Sequence, residues 1–307
     1  MDYNKLIDPP TWAFIKATDE AYPPDAASFS IAEQRAVYDR MCRAFHRGYP
    51  PGVKAEDRLI AGVSCRVFEG ASPPVLYLHG GGYVVGGLES HDDICADIRA
   101  EIGLTVVCAD YRLSPEHLHP AALEDALAVA RALAKEGPIL LAGDSAGGNL
   151  AAATAHVLRH EADVHVLGQV LIYPGLGGNL DQGSYLSHAN APMLTRADVL
   201  FYAGIRHGGT VPKGDPTVSP LQDTDFSNLP PTVTLGAECD PLCDDARAYA
   251  EAITQAGGRA HWVVEPGLVH AYLRARRTVP RAEASFARIT SALSALALGQ
   301  WPYGEAP

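Results

Sequence analysis

The stretch "AGDSAGGNLA" (residues 142–151) seats one serine, Ser145, between Gly143 and Gly147. Upstream, "PILLAG" is an apolar run of strand length. Downstream, "NLAAATAHVL" has the alanine and leucine content that favours helix. A chain that passes from strand to helix at one residue must turn sharply, and a Cβ at 143 or 147 would collide with its neighbours. Glycine at both positions removes that obstacle, and the turn lifts Ser145 Oγ above the sheet. A hydroxyl so placed is a candidate nucleophile. Short glycine–serine turns are common, however, so the rest of the chain must supply a base, an acid and donors for an oxyanion.

The segments around this turn set the fold class. Strand-length apolar runs ("RLIAGVSCRVF", "VLYLH", "LTVVCA", "ILLAG", "LGQVLIY", "TVTLGA" and "AHWVVE") alternate with helical segments near 90–101, 120–136, 146–160, 243–256 and 281–297. Near-continuous apolar strands alternating with helices imply an α/β fold, a mostly parallel sheet covered on both faces. Residues 174–230 break the rhythm with no evident strand and one helix near 195–206. An excursion of that length inside an α/β sheet reads as a lid or binding insertion.

Residues 1–55 differ from the rest of the chain. In "SIAEQRAVYDRMCRAFHRG" Ser30 and Glu33 have capping-box spacing, and Tyr38, Met41, Cys42 and Phe45 form the stripe of an amphipathic helix that Gly48 closes. Pro-rich turns at 23–24 and 50–51 flank it. The segment is too small for an independent core. The expected organisation is therefore an N-terminal cap segment (1–55) on a catalytic domain (56–307), with 174–230 contributing to the cap. The helix stripe is expected to pack on Met193, Leu194, Leu200 and Phe201 above Ser145.

Composition narrows the partners. At 307 residues, roughly 75% of the unfolded surface can be buried, so stability requires no metal or disulfide. Net charge is −12 (24 basic, 36 acidic) with no lysine/arginine cluster, which disfavours nucleic acid and anionic membrane. No apolar run approaches the roughly 20 residues of a membrane span, and the N-terminus does not read as a signal peptide. The six cysteines (42, 65, 95, 108, 239 and 243) read as reduced thiols of a cytoplasmic protein, and Cys239 and Cys243 lack a second pair that would complete a zinc pattern. No metal and no cofactor are expected.

"LYLHGGGYVVGG" offers the oxyanion donors. His79 ends a strand and Gly80, Gly81 and Gly82 follow; without Cβ atoms their amides can face a cavity. The amides of Gly81 and Gly82, with that of Ala146 beside the nucleophile, are the candidates, and His79 is assigned to bracing the loop. For the base, only His261 and His270 lie late enough in the chain. His261 sits inside the alternating "AHWVVE", whereas His270 follows Pro266 and Gly267 in a loop position, so His270 is preferred. Asp240, just past "TVTLGA", is the candidate acid; it also reads as a helix N-cap, and both roles can hold. Asp244, a turn further on, is the weaker candidate. Asp144 is expected to anchor the serine turn, and Arg112, Glu116 and Asp125 to form a buried polar network behind the glycine loop.

Together, "HGGG" (79–82), "YRLSPEHLHPAALED" (111–125), "GDSAGGNLA" (143–151), "DPL" (240–242) and the histidine of "GLVHAY" occur in one order and spacing over about residues 55 to 295. In these blocks the chain resembles the hormone-sensitive-lipase-like bacterial esterases (family IV) of the α/β-hydrolase fold. The resemblance implies a Ser145–His270–Asp240 triad, an oxyanion hole of Gly81, Gly82 and Ala146, motif support from His79, Gly80, Gly143, Asp144 and Gly147, and cleavage of short acyl esters without a cofactor. It also implies an N-terminal cap. Two departures bear on specificity: "YPGLGGNL" lacks an acid after the tyrosine–proline, and Cys243 stands where a charge is common. The expected partner is a small-molecule ester, with a homodimer compatible. Competing readings are a peptidase or amidase of the same fold, for which the chain lacks a large extra domain, and a ligand-binding protein on the same scaffold, which could dispense with His270.

Overall fold

A computed structural model describes residues 1–23 and 25–304; Pro24 of the expected 23–24 turn lies outside them, as do 305–307. The chain opens with α1 (Tyr3–Leu6), α2 (Pro9–Ala21) and α3 (Ile31–Phe45), then β1 (Glu56–Ile60), β2 (Val63–Phe68) and β3 (Ala71–Leu78). Next come α4 (Leu88–Ile102), β4 (Leu104–Ala109), α5 (Ala121–Ala134), β5 (Ile139–Asp144), α6 (Ala146–Leu158) and β6 (Val166–Ile172). After α7 (Gly183–Ser187) and α8 (Arg196–His207), the chain ends with β7 (Thr232–Cys239), α9 (Cys243–Gln255), β8 (Ala260–Val269) and α10 (Pro280–Ala297). The eight strands form one sheet in the order β1-β2-β4-β3-β5-β6-β7-β8, antiparallel at β1–β2 and β2–β4 and parallel thereafter. This is the α/β-hydrolase arrangement.

Two strand expectations change. "RLIAGVSCRVF" is a hairpin rather than one strand: Ala61 (φ 49°) and Gly62 (φ 85°) both take left-handed conformations between Ile60 and its partner Val63. Two consecutive positive φ values are what a tight two-residue hairpin turn requires. Strand β8 runs on through Pro266 and Gly267 to Val269, so His270 leaves a strand end directly instead of lying deep in a loop. Proline is tolerated there because β8 is the sheet edge.

The core divides into two layers, one on each sheet face. Helix α6 is buried over almost its whole length, which explains its glycines and alanines: small side chains let it lie close to the sheet. The N-terminal segment shares this core. Ile7, Phe14, Ile15 and Val53 are buried in the same layer as β8 and α10 residues. Helix α2 is not among the expected helices, although Asp8 followed by Pro9 and Pro10 carries its start signal: the Asp8 carboxylate accepts from Thr11 N at 3.0 Å, with proline in the first turn.

Helix α3 matches its expected stripe and its Ser30/Glu33 capping box. Its partners differ from expectation. Tyr38, Met41 and Cys42 pack on Val84 and Val85 of the glycine loop and on Tyr202 and Ile205 of α8. Phe45 meets Phe14 edge-on at 5.2 Å. Leu200 and Phe201, expected to meet α3, stay outside this cluster and partly exposed on the cavity wall, and α8 contributes Tyr202 and Ile205 to it instead.

Candidate active site

Four strands of the parallel part of the sheet end at one place. Beyond β3 lie His79 to Gly82, beyond β5 lies Ser145, beyond β7 Asp240 and beyond β8 His270. The carboxyl edge of a parallel sheet is where such folds place ligands.

Ser145 takes φ 54° and ψ −119°, a backbone conformation strained for a residue with a Cβ, and its N–H donates to Ile172 O at 2.9 Å. The glycines beside it are required by contact. A Cβ on Gly147 would lie 1.9 Å from Leu78 O, and one on Gly143 would lie 2.4 Å from Gly147 O. The serine turn is thus pressed against the end of β3, with no room for any other residue.

His270 Nε2 lies 2.8 Å from Ser145 Oγ, and its Nδ1 lies 2.6 Å from Asp240 Oδ2. A carboxylate only accepts, so the imidazole proton sits on Nδ1 and leaves Nε2 to accept from the serine hydroxyl. Asp240 is fully buried, and its other oxygen accepts from Leu242 N at 2.9 Å. The expected N-cap role of Asp240 is not formed: the N-cap of α9 is Leu242, and Asp240 closes the turn ahead of it through one oxygen while the other faces His270. His261 is elsewhere: it pairs with Val233 at the far end of β8 and stacks on Tyr303 at 4.1 Å. Asp244 accepts from Ser184 N at 2.8 Å and does not reach the histidine, while buried Asp245 accepts from Leu176 N and Tyr185 Oη.

The glycine loop faces Ser145. Gly81 and Gly82 have φ of 128° and 62°; a Cβ on Gly81 would meet Val85 O at 2.1 Å and one on Gly82 would meet the Tyr202 ring at 2.6 Å. Among the described residues the amides of Gly81, Gly82 and Ala146 find no acceptor, although all three residues line the cavity that contains Ser145 and His270.

Beneath the loop, Asp144 accepts from Gly80 N at 3.0 Å and Tyr77 Oη at 2.9 Å and approaches His91 Nε2 at 3.2 Å. Burial alone would raise its carboxyl, but His91 and the Tyr77 hydroxyl outweigh that and hold it well below the usual carboxylate range. Asp144 thus fastens the serine turn to the glycine loop. His79 stacks on Tyr111 at 4.2 Å, and its Nδ1 lies 2.8 Å from Gly80 O. Burial, then neighbouring His91, pushes its imidazole down to about 3. Kept neutral in the core, it braces the loop.

The expected Arg112–Glu116–Asp125 network is not formed as a unit. Arg112 pairs with Asp125 and Glu124 and stays partly exposed, while Glu116 points away to Arg35 of α3. Arg35 also donates to Val84 O at 2.8 Å and Ser114 O at 3.0 Å, so one arginine ties α3 to the glycine loop. Neither Arg35 nor Asn149 stands out in the sequence. Asn149 accepts from Tyr83 Oη at 2.5 Å and donates to Gly175 O and Val218 O, joining α6, the glycine loop and the 174–230 excursion. A polar side chain in the otherwise apolar first two turns of α6 is the available signal for Asn149.

Above Ser145 lies a cavity of ≈ 760 Å³, walled by residues of α2, α3, the glycine loop and the excursion. That is within the usual range for small-molecule sites. Among the described residues no cluster of three or more histidine, cysteine or carboxylate side chains could hold a metal ion, and no helix is long and apolar enough to cross a membrane.

Residues 75–274 match the model of a family described by its α/β hydrolase fold. The chain is 37% identical over 235 residues to carboxylesterase NlhH of Mycobacterium tuberculosis, covering 72% of this chain and 73% of the relative. It is 34% identical over 234 residues to ethyl acetate hydrolase of Pseudomonas putida, covering 73% of each. The crystal structure of a thermostable esterase from Pseudomonas putida ECU1011 superposes with a TM-score of 0.87 at 25% identity, over 95% of this chain and 98% of that one. Matched over most of its sheet and by relatives named for ester hydrolysis, the chain belongs to the hormone-sensitive-lipase-like esterases of the α/β-hydrolase fold.

Proposed function

We propose that this esterase hydrolyses short-chain carboxylic esters through an acyl-serine intermediate formed on Ser145. The observation that carries the reading is the unbroken relay from Ser145 Oγ through His270 to Asp240, with steps of 2.8 and 2.6 Å. His270 Nε2 takes the hydroxyl proton as Oγ attacks the ester carbonyl, and Asp240 stabilises the imidazolium. The carbonyl oxygen, now negative, is received by the amides of Gly81, Gly82 and Ala146, each donor worth on the order of 10²–10³ in rate. The proton then passes to the departing alcohol. Water, deprotonated by the same histidine, attacks the acyl-serine and regenerates the hydroxyl. Nothing in this cycle calls for a metal or cofactor.

His79, Gly80, Gly143, Asp144 and Gly147 act by position, holding the turn and the loop in register. Residues 1–55 and 174–230 serve as the cap over the catalytic domain. A bounded cavity beneath such a cap gains roughly 0.8 kcal/mol per buried CH₂ until it is full. Hence kcat/KM should rise from acetyl toward butanoyl or hexanoyl esters and fall for long chains. The similarity to an ethyl acetate hydrolase supports small substrates.

Ser145→Ala is the test. The variant should keep its Tm, lose turnover of 4-nitrophenyl esters, and lose the mass increment that a fluorophosphonate leaves on the wild-type protein. A folded Ser145→Ala protein that still turns over esters at the wild-type rate overturns the mechanism.

A further inference from the structure

The "YLRARR" segment (272–277) follows His270 and carries three arginines of unequal fate. Arg276 is buried between Asp93 and Asp97, and Arg277 also reaches Asp97. Arg274, one turn from His270, meets no carboxylate at ion-pair distance among the described residues. Of the five N–H donors of its guanidinium, Nη2 donates to Tyr38 Oη at 2.6 Å. The Tyr38 ring lies 5.0 Å from the guanidinium carbon, and Nε is buried without an acceptor. A guanidinium cannot shed its charge, and Asp144, the carboxylate whose charge Arg274 favours, lies beyond ion-pair distance. Buried N–H groups lacking any partner are rare enough that each asks for an explanation.

Arg274 lines the same cavity as Ser145 and His270. Three other charged groups on that wall are already engaged. Asp144 is held by Tyr77, Gly80 and His91, and Asp198 caps α8 through Thr195. Arg206 lies 3.7 Å over the Tyr83 ring and donates to Val218 O. Asp19 stands exposed on the wall. Lys213 also lines the wall but stands exposed to solvent, which leaves Arg274 as the sheltered cation there with donors to spare.

We infer that Arg274 is an anion-receiving position within the substrate cavity, and that the physiological ester carries a carboxylate placed to meet it. This rests on the esterase reading and narrows its substrate class. The carboxylate belongs either to the acyl half, as in a half-ester of a dicarboxylic acid, or to the alcohol half, as in an acylated hydroxy acid. In both, a planar two-oxygen acceptor meets a planar fork of N–H donors, a pairing that lysine reproduces poorly.

The experiment compares matched esters in the full chain. For the acyl half, 4-nitrophenyl hydrogen glutarate is set against 4-nitrophenyl hexanoate. For the alcohol half, 3-acetoxypropanoate is set against 3-acetoxypropanamide. The anionic member of at least one pair should have the higher kcat/KM, mainly through KM, by roughly tenfold to a hundredfold for a charge-assisted contact. In Arg274→Met that ratio should collapse toward one, with Arg274→Lys intermediate. Inhibition of wild-type hexanoate-ester hydrolysis gives a readout free of any folding defect: hexanoate should inhibit at least tenfold more tightly than hexanamide. If neutral esters are hydrolysed while neither pair favours the anion and hexanoate inhibits no better than its amide, this inference falls and the esterase reading stands. If no member of either pair is hydrolysed, the esterase reading itself falls.

Discussion

Asp240→Asn isolates the orienting carboxylate without disturbing its surroundings. Asp240 Oδ1 accepts from Leu242 N at 2.9 Å, and Oδ2 faces His270 Nδ1 at 2.6 Å. In the asparagine variant the carbonyl oxygen must stay on the Leu242 side, because that buried N–H demands an acceptor. The amide NH₂ then occupies the Oδ2 position and donates to Nδ1. His270 is forced into the tautomer with its proton on Nε2, which cannot accept from Ser145 Oγ. The geometry of the site survives while its proton path is closed. The loss of kcat should be on the order of 10⁴, as for the equivalent change in a serine protease triad, which corresponds to about 5.5 kcal/mol of transition-state stabilisation. Burst and steady-state release of 4-nitrophenol measure it, and thermal melting checks the fold. Because the Leu242 contact is kept, Tm should move by only a few degrees. A folded Asp240→Asn protein whose kcat is within tenfold of wild type would refute the argument that Asp240 sets the tautomer.

Gly82→Ala should lower kcat by roughly ten- to a hundredfold with a smaller change in KM, since its Cβ meets the Tyr202 ring at 2.6 Å and must tilt an amide that works in the transition state; a kcat within twofold would place the donors elsewhere. His79, pushed down to about 3 from 6.5, refuses a proton that the unfolded chain accepts. Its contribution to stability is therefore complete above about pH 6.5 and is lost at about 1.4 kcal/mol per pH unit as pH falls toward 3. His79→Phe should flatten the acid limb of a stability–pH curve between pH 6 and 4 by about that slope, and an unchanged slope would show that the burial of His79 does not shape it. Deleting residues 1–45 should unfold or aggregate the protein instead of simply opening its pocket, because Ile7, Phe14 and Ile15 belong to the main core. Each buried side chain contributes roughly 1.5–3 kcal/mol, against a typical total of 5–15; a truncated protein melting within a few degrees of the full chain would contradict this.

How much the sequence makes legible depends on how local each signal is. The serine turn is written in three consecutive constraints, a strand, glycines flanking Ser145 and a helix, and all of them are short-range. Asp240 and His270 are identifiable because each ends a strand in a fixed chain order. The pieces that escape depend on distant partners. Nothing near Arg35 reveals that it will reach Glu116, Val84 and Ser114. Glu116 groups with Arg112 by nearness in sequence, yet the chain turns Glu116 toward α3. The α8 face that meets α3 is illegible for a similar reason: Leu200, Phe201, Tyr202 and Ile205 are all apolar enough to be buried, and only the tertiary arrangement selects Tyr202 and Ile205. The hairpin at Ala61–Gly62 hides in a run whose apolar content reads as one strand.

The Arg35 clamp matters for anyone who would change the specificity of this esterase by exchanging its N-terminal segment with that of a relative. Its guanidinium holds the carbonyl of Val84, on the chain that continues directly from Gly81 and Gly82, and that of Ser114 on the segment beyond β4. A transplanted segment would bring new pocket walls but would also release this grip, so a graft chosen to alter which ester fits would slow the turnover of every ester. A graft that carries Arg35 with it, onto a chain that keeps Glu116, should separate the two effects.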